Sequence, residues 1–174
     1  MKNNYLTIVI AVFMLICSIR IQAQSTIGIQ PPTPPSTLNQ VELMKHFTGI
    51  WKCESKDTTF IIEDKYYGDG HEVYIKTETK GKIIWEGKAL IGYDKKNDIL
   101  VESLLAHDNP NIILGAIRFT SPNKFEETLL QDISNPENAT LKWIYELKSP
   151  DSFIETYFQN NKKVSVHNYK RVKL

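Results

Sequence analysis

From Gly49 to the end of the chain, turn-forming residues recur about every ten positions, and that punctuation restricts the fold more than any other feature. The signals are "SKD" (55–57), "GDG" (68–70), "KGK" (80–82), "KKND" (95–98), "DNPN" (108–111), "SPN" (121–123), "SNPEN" (134–138), "SPD" (149–151) and "NNK" (160–162). Gly, Pro, Asn and Asp supply the backbone conformations that tight reversals need. Between them lie short segments rich in Ile, Val, Thr, Tyr, Phe and Trp, which read as about ten strands with no second helix. Connections this short demand antiparallel neighbours, because a parallel crossover consumes a dozen residues or more. A meander of ten strands would leave two open edges, and closure removes them. The expected fold is therefore all-β, an up-and-down antiparallel barrel.

Alternation supplies the faces. In "KIIWEGKALIGYD", Trp85, Gly87, Ala89 and Ile91 share one side, with Glu86 and Lys88 on the other. In "ATLKWIYELK", Leu141, Trp143, Tyr145 and Leu147 oppose Lys142, Glu146 and Lys148. The small residues Gly87, Ala89, Gly92, Gly115 and Ala116 favour room inside such a barrel.

Ahead of the strands, "STLNQVELMKHF" has helical spacing, with Thr37 or Asn39 as cap and Val41, Leu43, Met44 and Phe47 as an apolar stripe. Too short to be stable alone, this helix must lie against the barrel. "FTGIWKCE" follows. Gly49 lets the chain leave the helix and turn sharply, and Trp51 plugs the closed end. A short helix, Gly-x-Trp at the first strand, an antiparallel meander and the later "LIGYDKKNDIL" resemble the lipocalin-like (calycin) barrels, and within them exported bacterial domains of uncharacterised function. The likeness spans residues 38–174 as a pattern, with sharp motifs at only about a dozen positions. It implies that Trp51 packs under an arginine of the last strand, here Arg171, a cation–π contact worth ~1 kcal/mol. It also implies a small apolar or amphipathic ligand such as a lipid, fatty acid or pigment.

The first residues read differently. Lys2, the apolar run from Tyr5 to Ile19 and "RIQAQS" form a secretory signal peptide over 1–23, with cleavage after Ala23. The run falls short of the roughly 20 residues that a bilayer span needs. Ile16 before Cys17 ranks a lipoprotein below a periplasmic or secreted protein. "IQPPTPPST" makes residues 24–37 an extended, proline-rich linker. The chain has 21 Lys and Arg against 20 Asp and Glu, and cleavage would remove Lys2 and Arg20 but no acidic residue. Such balance argues against nucleic acid as a partner. Only Cys53 would survive maturation, so packing, not an internal disulfide, must hold the domain.

Ligand-selecting candidates are polar groups on faces that alternation can turn inward. "NIILGAIRF" groups Arg118 with Ile112, Leu114 and Ala116, and an inward arginine would bind a carboxylate. "SFIETYFQN" places Glu155 between Phe153 and Tyr157, and pairing with Arg118 is the simplest way to hold both charges inside. "VSVHNYKRV" puts His167, Tyr169 and Arg171 on one face. Fatty-acid-binding barrels hold a carboxylate with an arginine and a tyrosine two residues apart in the last strand, and here the order is reversed. Trp85, Trp143, Tyr145 and Phe153 are the expected apolar lining. His46, His71, His107 and His167 lack metal-pair spacing and read as surface histidines, so no metal or cofactor is predicted, although an inward His107 or His167 would suit haem. No nucleophile elbow, phosphate loop or zinc signature occurs. An enzyme on this scaffold (isomerase, cyclase or hydrolase) would rely on Glu155, Tyr157 or His167 as acid or base. A filled barrel would instead bind another exported protein at its rim.

Overall fold

The computed structural model describes residues 37–173; the assigned leader and all but the last residue of the proline-rich segment lie outside them. Helix α1 (Gln40–Met44) runs into a 3-10 turn (Lys45–Phe47). Ten strands follow: β1 (Gly49–Ser55), β2 (Thr58–Tyr67), β3 (Gly70–Thr79), β4 (Lys82–Asp94), β5 (Ile99–Ala106), β6 (Asn109–Ser121), β7 (Lys124–Leu129), β8 (Leu141–Ser149), β9 (Ser152–Gln159) and β10 (Lys162–Arg171). Each pairs antiparallel with its sequence neighbours, and β1 pairs with β10 to close the barrel. No helix among the described residues is long and apolar enough to cross a membrane.

Local chemistry explains the hairpins. Lys80–Gly81 and Asn160–Asn161 both take positive φ at successive residues (51° and 75°, 49° and 61°), the pattern of a type I′ turn, whose twist suits two-residue reversals. The β5–β6 turn falls at His107–Asp108, earlier than "DNPN" suggests, because Asn109 pairs back with Ala106. Pro110 is tolerated near the start of a strand. The β7–β8 connection is longer than a hairpin and holds two 3-10 turns, Leu130–Asp132 and Pro136–Asn138.

Asn39 caps α1, its Oδ1 accepting the Glu42 N–H at 3.1 Å. Met44 and Phe47 of the apolar stripe are buried, with Val41 and Leu43 packed beside them. They floor one end of the barrel with Trp51, Phe119, Phe125 and Phe153. Phe47 meets Phe125 edge-on at 4.8 Å between centroids, and Trp51 meets Phe153 in the same way at 4.8 Å. Gln40, also buried, ties the helix to the wall by accepting the Phe119 N–H at 2.7 Å.

The seam beside this floor is clasped. Trp51 lies opposite Arg171, whose guanidinium sits 3.9 Å above the indole centroid. That guanidinium donates to three backbone carbonyls: Thr48, His46 at 3.0 Å and Pro150 at 3.0 Å. The Trp51 Nε1–H donates to the Phe47 carbonyl at 2.6 Å. Gly49 has φ +134°, and a Cβ there would collide with the Arg171 guanidinium. Position 49 therefore requires glycine on two counts.

Candidate functional site

Above the floor the barrel encloses a cavity of about 420 Å³. That is within the range of roughly 300–1,000 Å³ usual for small-molecule sites. The wall is mostly apolar, and strand alternation decides which side chains face it. Trp51, Val73, Ile91, Ile117 and Phe153 belong to the buried core cluster, and Ile62, Ile75, Phe60, Trp85, Leu104, Leu141 and Trp143 complete the apolar lining. Trp85 is pinned by donation from its Nε1–H to Asp108 Oδ1 at 3.0 Å, and Trp143 stacks on Tyr157 at 5.0 Å.

At the waist the wall becomes acidic. Glu102 on β5 and Glu127 on β7 share a hydrogen bond over Gly115 of the intervening strand. A Cβ on Gly115 would stand 3.2 Å from one carboxyl oxygen of Glu127 and 3.3 Å from one of Glu102. The missing side chain is thus the space in which the two carboxyls meet. Burial raises the proton affinity of both, that of Glu127 well above the ordinary carboxyl range, and the neighbouring charges of Glu102 and Glu155 push Glu127 further. Two carboxylates this close share a proton and titrate as a pair. Tyr145 on β8 stands near Glu127 and opposes the rise in that carboxyl's proton affinity. Across the next ladder, Tyr145 faces Glu155 of β9, and Glu155 faces His167 of β10. Glu155 Oε1 is 3.1 Å from His167 Nδ1, and the imidazole stacks on Phe60 of β2 at 4.3 Å. Burial and the Glu155 and Glu127 charges raise the Tyr145 phenol well above its usual range, and burial beside Glu155 raises Tyr169. A polar belt therefore crosses the waist from β5 to β10.

Of the sequence candidates, Glu155, His167, Tyr169, Trp85, Trp143 and Tyr145 line this cavity. Tyr157 stacks on Trp143 but does not line it, and Arg171 belongs to the clasp. Arg118 requires a correction. Gly115 and Ile117 face inward, so Ile112 and Leu114 are exposed on the outer wall, and Arg118 lies there opposite Glu126. Its expected pairing with Glu155 is replaced by His167. The small residues divide likewise: Gly87, Ala89 and Gly115 sit on inward faces, while Gly92 is exposed.

His71 is the other correction. It is 4 % exposed, not a surface residue, and its Nδ1 lies 2.7 Å from Asp64 Oδ1. Burial raises the Asp64 carboxyl above its usual range, opposed by the bond to His71. His107 is exposed and does not line the cavity. Cys53 is buried and unpaired, with burial raising its thiol. Among the described residues no three His, Cys, Asp or Glu side chains converge as metal ligands.

Sequence reasoning missed Glu102 and Glu127. Their strands, "ILVESLLA" and "KFEETL", carry apolar residues on both faces or acids on both, so parity alone does not orient them. The available signal was Gly115, a gap in an apolar strand between two acid-bearing strands. No known family model matches the chain, and no curated protein matches it. The ten-stranded closed antiparallel barrel is consistent with a lipocalin-like fold.

Proposed function

We propose that this chain is an exported, lipocalin-like carrier that holds one small, largely apolar or amphipathic molecule inside its barrel. The observation that carries this reading is the cavity of about 420 Å³, walled mostly by aromatic and aliphatic side chains with a few polar groups among them. A few placed polar groups in an apolar hollow fix a ligand's orientation while burial supplies the affinity. Export rests on the Lys2–Ala23 pattern alone. A barrel filled by its own side chains, with function only at its rim, is disfavoured by the same cavity.

Native mass spectrometry of the purified protein, followed by organic extraction, tests the carrier reading. The expected result is a defined small molecule near one per chain, or uptake of an environment-sensitive apolar dye by the apo protein. An apo mass together with no dye uptake refutes it.

A second reading is favoured by one specific arrangement. Glu155 and His167 at 3.1 Å form an acid–base couple on the cavity wall, with the proton-sharing Glu102–Glu127 pair linked to it through Tyr145. Such a set suits proton transfer on a bound hydrophobic substrate, as in an isomerase. Turnover of the extracted ligand, abolished by His167→Gln without loss of binding, separates enzyme from carrier.

A further inference from the structure

The belt at the waist has a chemical bias. Asp64, Glu102, Glu127 and Glu155 line the cavity, and no Lys or Arg does so among the described residues. Facing them are His167, bonded to Glu155, and His71, bonded to Asp64. Among the described residues that line the cavity, nothing with a permanent positive charge offsets the carboxyls. In a low-dielectric hollow this surplus repels a ligand carboxylate or phosphate and attracts a cation.

An independent observation points to a ligand in the same cavity. Tyr169, 3 % exposed, lines the cavity, and its hydroxyl makes no hydrogen bond among the described residues. That hydroxyl opens onto the cavity, and a polar head seated beside it would supply a partner. The same head would lie among the rings of Tyr145, Tyr169 and Phe60, whose faces favour cations. The carboxyls do not converge as metal ligands, so the site suits a larger cation than a bare metal ion.

Resting on the carrier reading, we infer that the barrel selects an amphiphile with a protonated amine head, held at the Glu102–Glu127–Glu155 belt with its apolar body toward Trp85 and Trp143. A fatty acid is the wrong charge for this interior. Recognition has a proton signature. The pair shares a proton in the free protein, and an ammonium beside it favours ionised carboxylates, so binding expels that proton. The titratable groups that share the cavity with the pair are Tyr145 on β8, Glu155 on β9, His167 and Tyr169 on β10 and Asp64 on β2, the last bonded to the buried His71 of β3.

Decylamine, decanol and decanoate, matched in chain and differing in head, test this by calorimetry with the wild-type protein. Decylamine should bind about tenfold or more tighter than decanol, an advantage of about 1.4 kcal/mol, and decanoate weaker than both. Runs in two buffers of different ionisation enthalpy should show proton release with decylamine and none with decanol. Glu102→Gln and Glu127→Gln should erase the amine's advantage over decanol, with far-ultraviolet circular dichroism and uptake of the apolar dye reporting a preserved barrel and cavity. Decanoate binding as tightly as decylamine, or an amine advantage unchanged in both variants, overturns the inference and leaves the carrier reading standing. If none of the three binds and no dye enters, the carrier reading falls and takes the inference with it.

Discussion

The clasp at the barrel seam makes a quantitative claim about two residues far apart in sequence. Gly49→Ala imposes two costs: backbone strain at φ +134°, about 2 kcal/mol, and displacement of the Arg171 guanidinium, which a Cβ would strike. Arg171→Ala removes bonds to the carbonyls of Thr48, His46 and Pro150, together with the stack on Trp51. Because the Arg171 side chain is 25 % exposed, each bond contributes less than a fully buried charged one. Removing the clasp should then cost about 3 kcal/mol, including ~1 kcal/mol from the cation–π contact. The ion pair with Asp151 at 3.7 Å is half in solvent and adds little. Gly49→Ala should cost about 4 kcal/mol, of which about 2 is lost clasp. In an Arg171→Ala background only the strain remains, so the double variant should lose about 5 kcal/mol and the coupling should be about 2 kcal/mol. Urea unfolding followed by tryptophan fluorescence measures all four corners of the cycle. Losses that add to within about 0.5 kcal/mol would refute the reasoning, because they would mean that Gly49 serves the backbone alone.

Two further expectations concern buried charge. Because the folded-state proton affinities of Glu102 and Glu127 are raised, the folded protein keeps protons that the unfolded chain releases above the ordinary carboxyl value of 4.5. Stability from this pair is therefore greatest in acid and declines as pH rises through the raised range. Glu127→Gln should flatten the dependence of melting temperature on pH and exceed wild type at mildly alkaline pH; parallel profiles would contradict the assignment. His71→Ala strands Asp64 without its partner and should cost about 3 kcal/mol, while adding Asp64→Ala should recover part of that loss in the same unfolding assay.

The barrel was legible because turn chemistry and alternation act locally. "KKND" and "NNK" name reversals by themselves, and the Lys142, Glu146, Lys148 face of β8 can only be the solvent side. Strand β6 was not, since "NIILGAIRF" is apolar on both faces, and Arg118 tipped the choice toward the wrong one. The outer wall here exposes Ile112 and Leu114, so hydrophobicity carries no sign at that strand. The acidic pair was illegible for another reason. Glu102 and Glu127 meet only through two ladders, β5 on β6 and β6 on β7, and a one-residue slip in either would separate them. His71 looked like a turn residue because it follows "GDG", yet it sits opposite Tyr66 and shares its inward side with Asp64 and Val73. Tertiary register, not residue type, decides such positions.

Ten strands joined in sequence order give this molecule nearly local wiring, with one exception. Among the strand ladders of the described residues, only β1 with β10 joins distant parts of the chain, Arg171 bonding Thr48 across 123 residues. Its ladder is short, Trp51 opposite Arg171 and Lys52 opposite Lys170, extended by the Val172 N–H donating to the Ile50 carbonyl at 2.7 Å. Hairpins can zip early, but closing the ring must overcome the chain entropy of that long loop before a cavity exists at all. The guanidinium that crowns Trp51 thus acts as the latch of a hoop: the last contact to form, the first to release, and the point at which a sheet becomes a container.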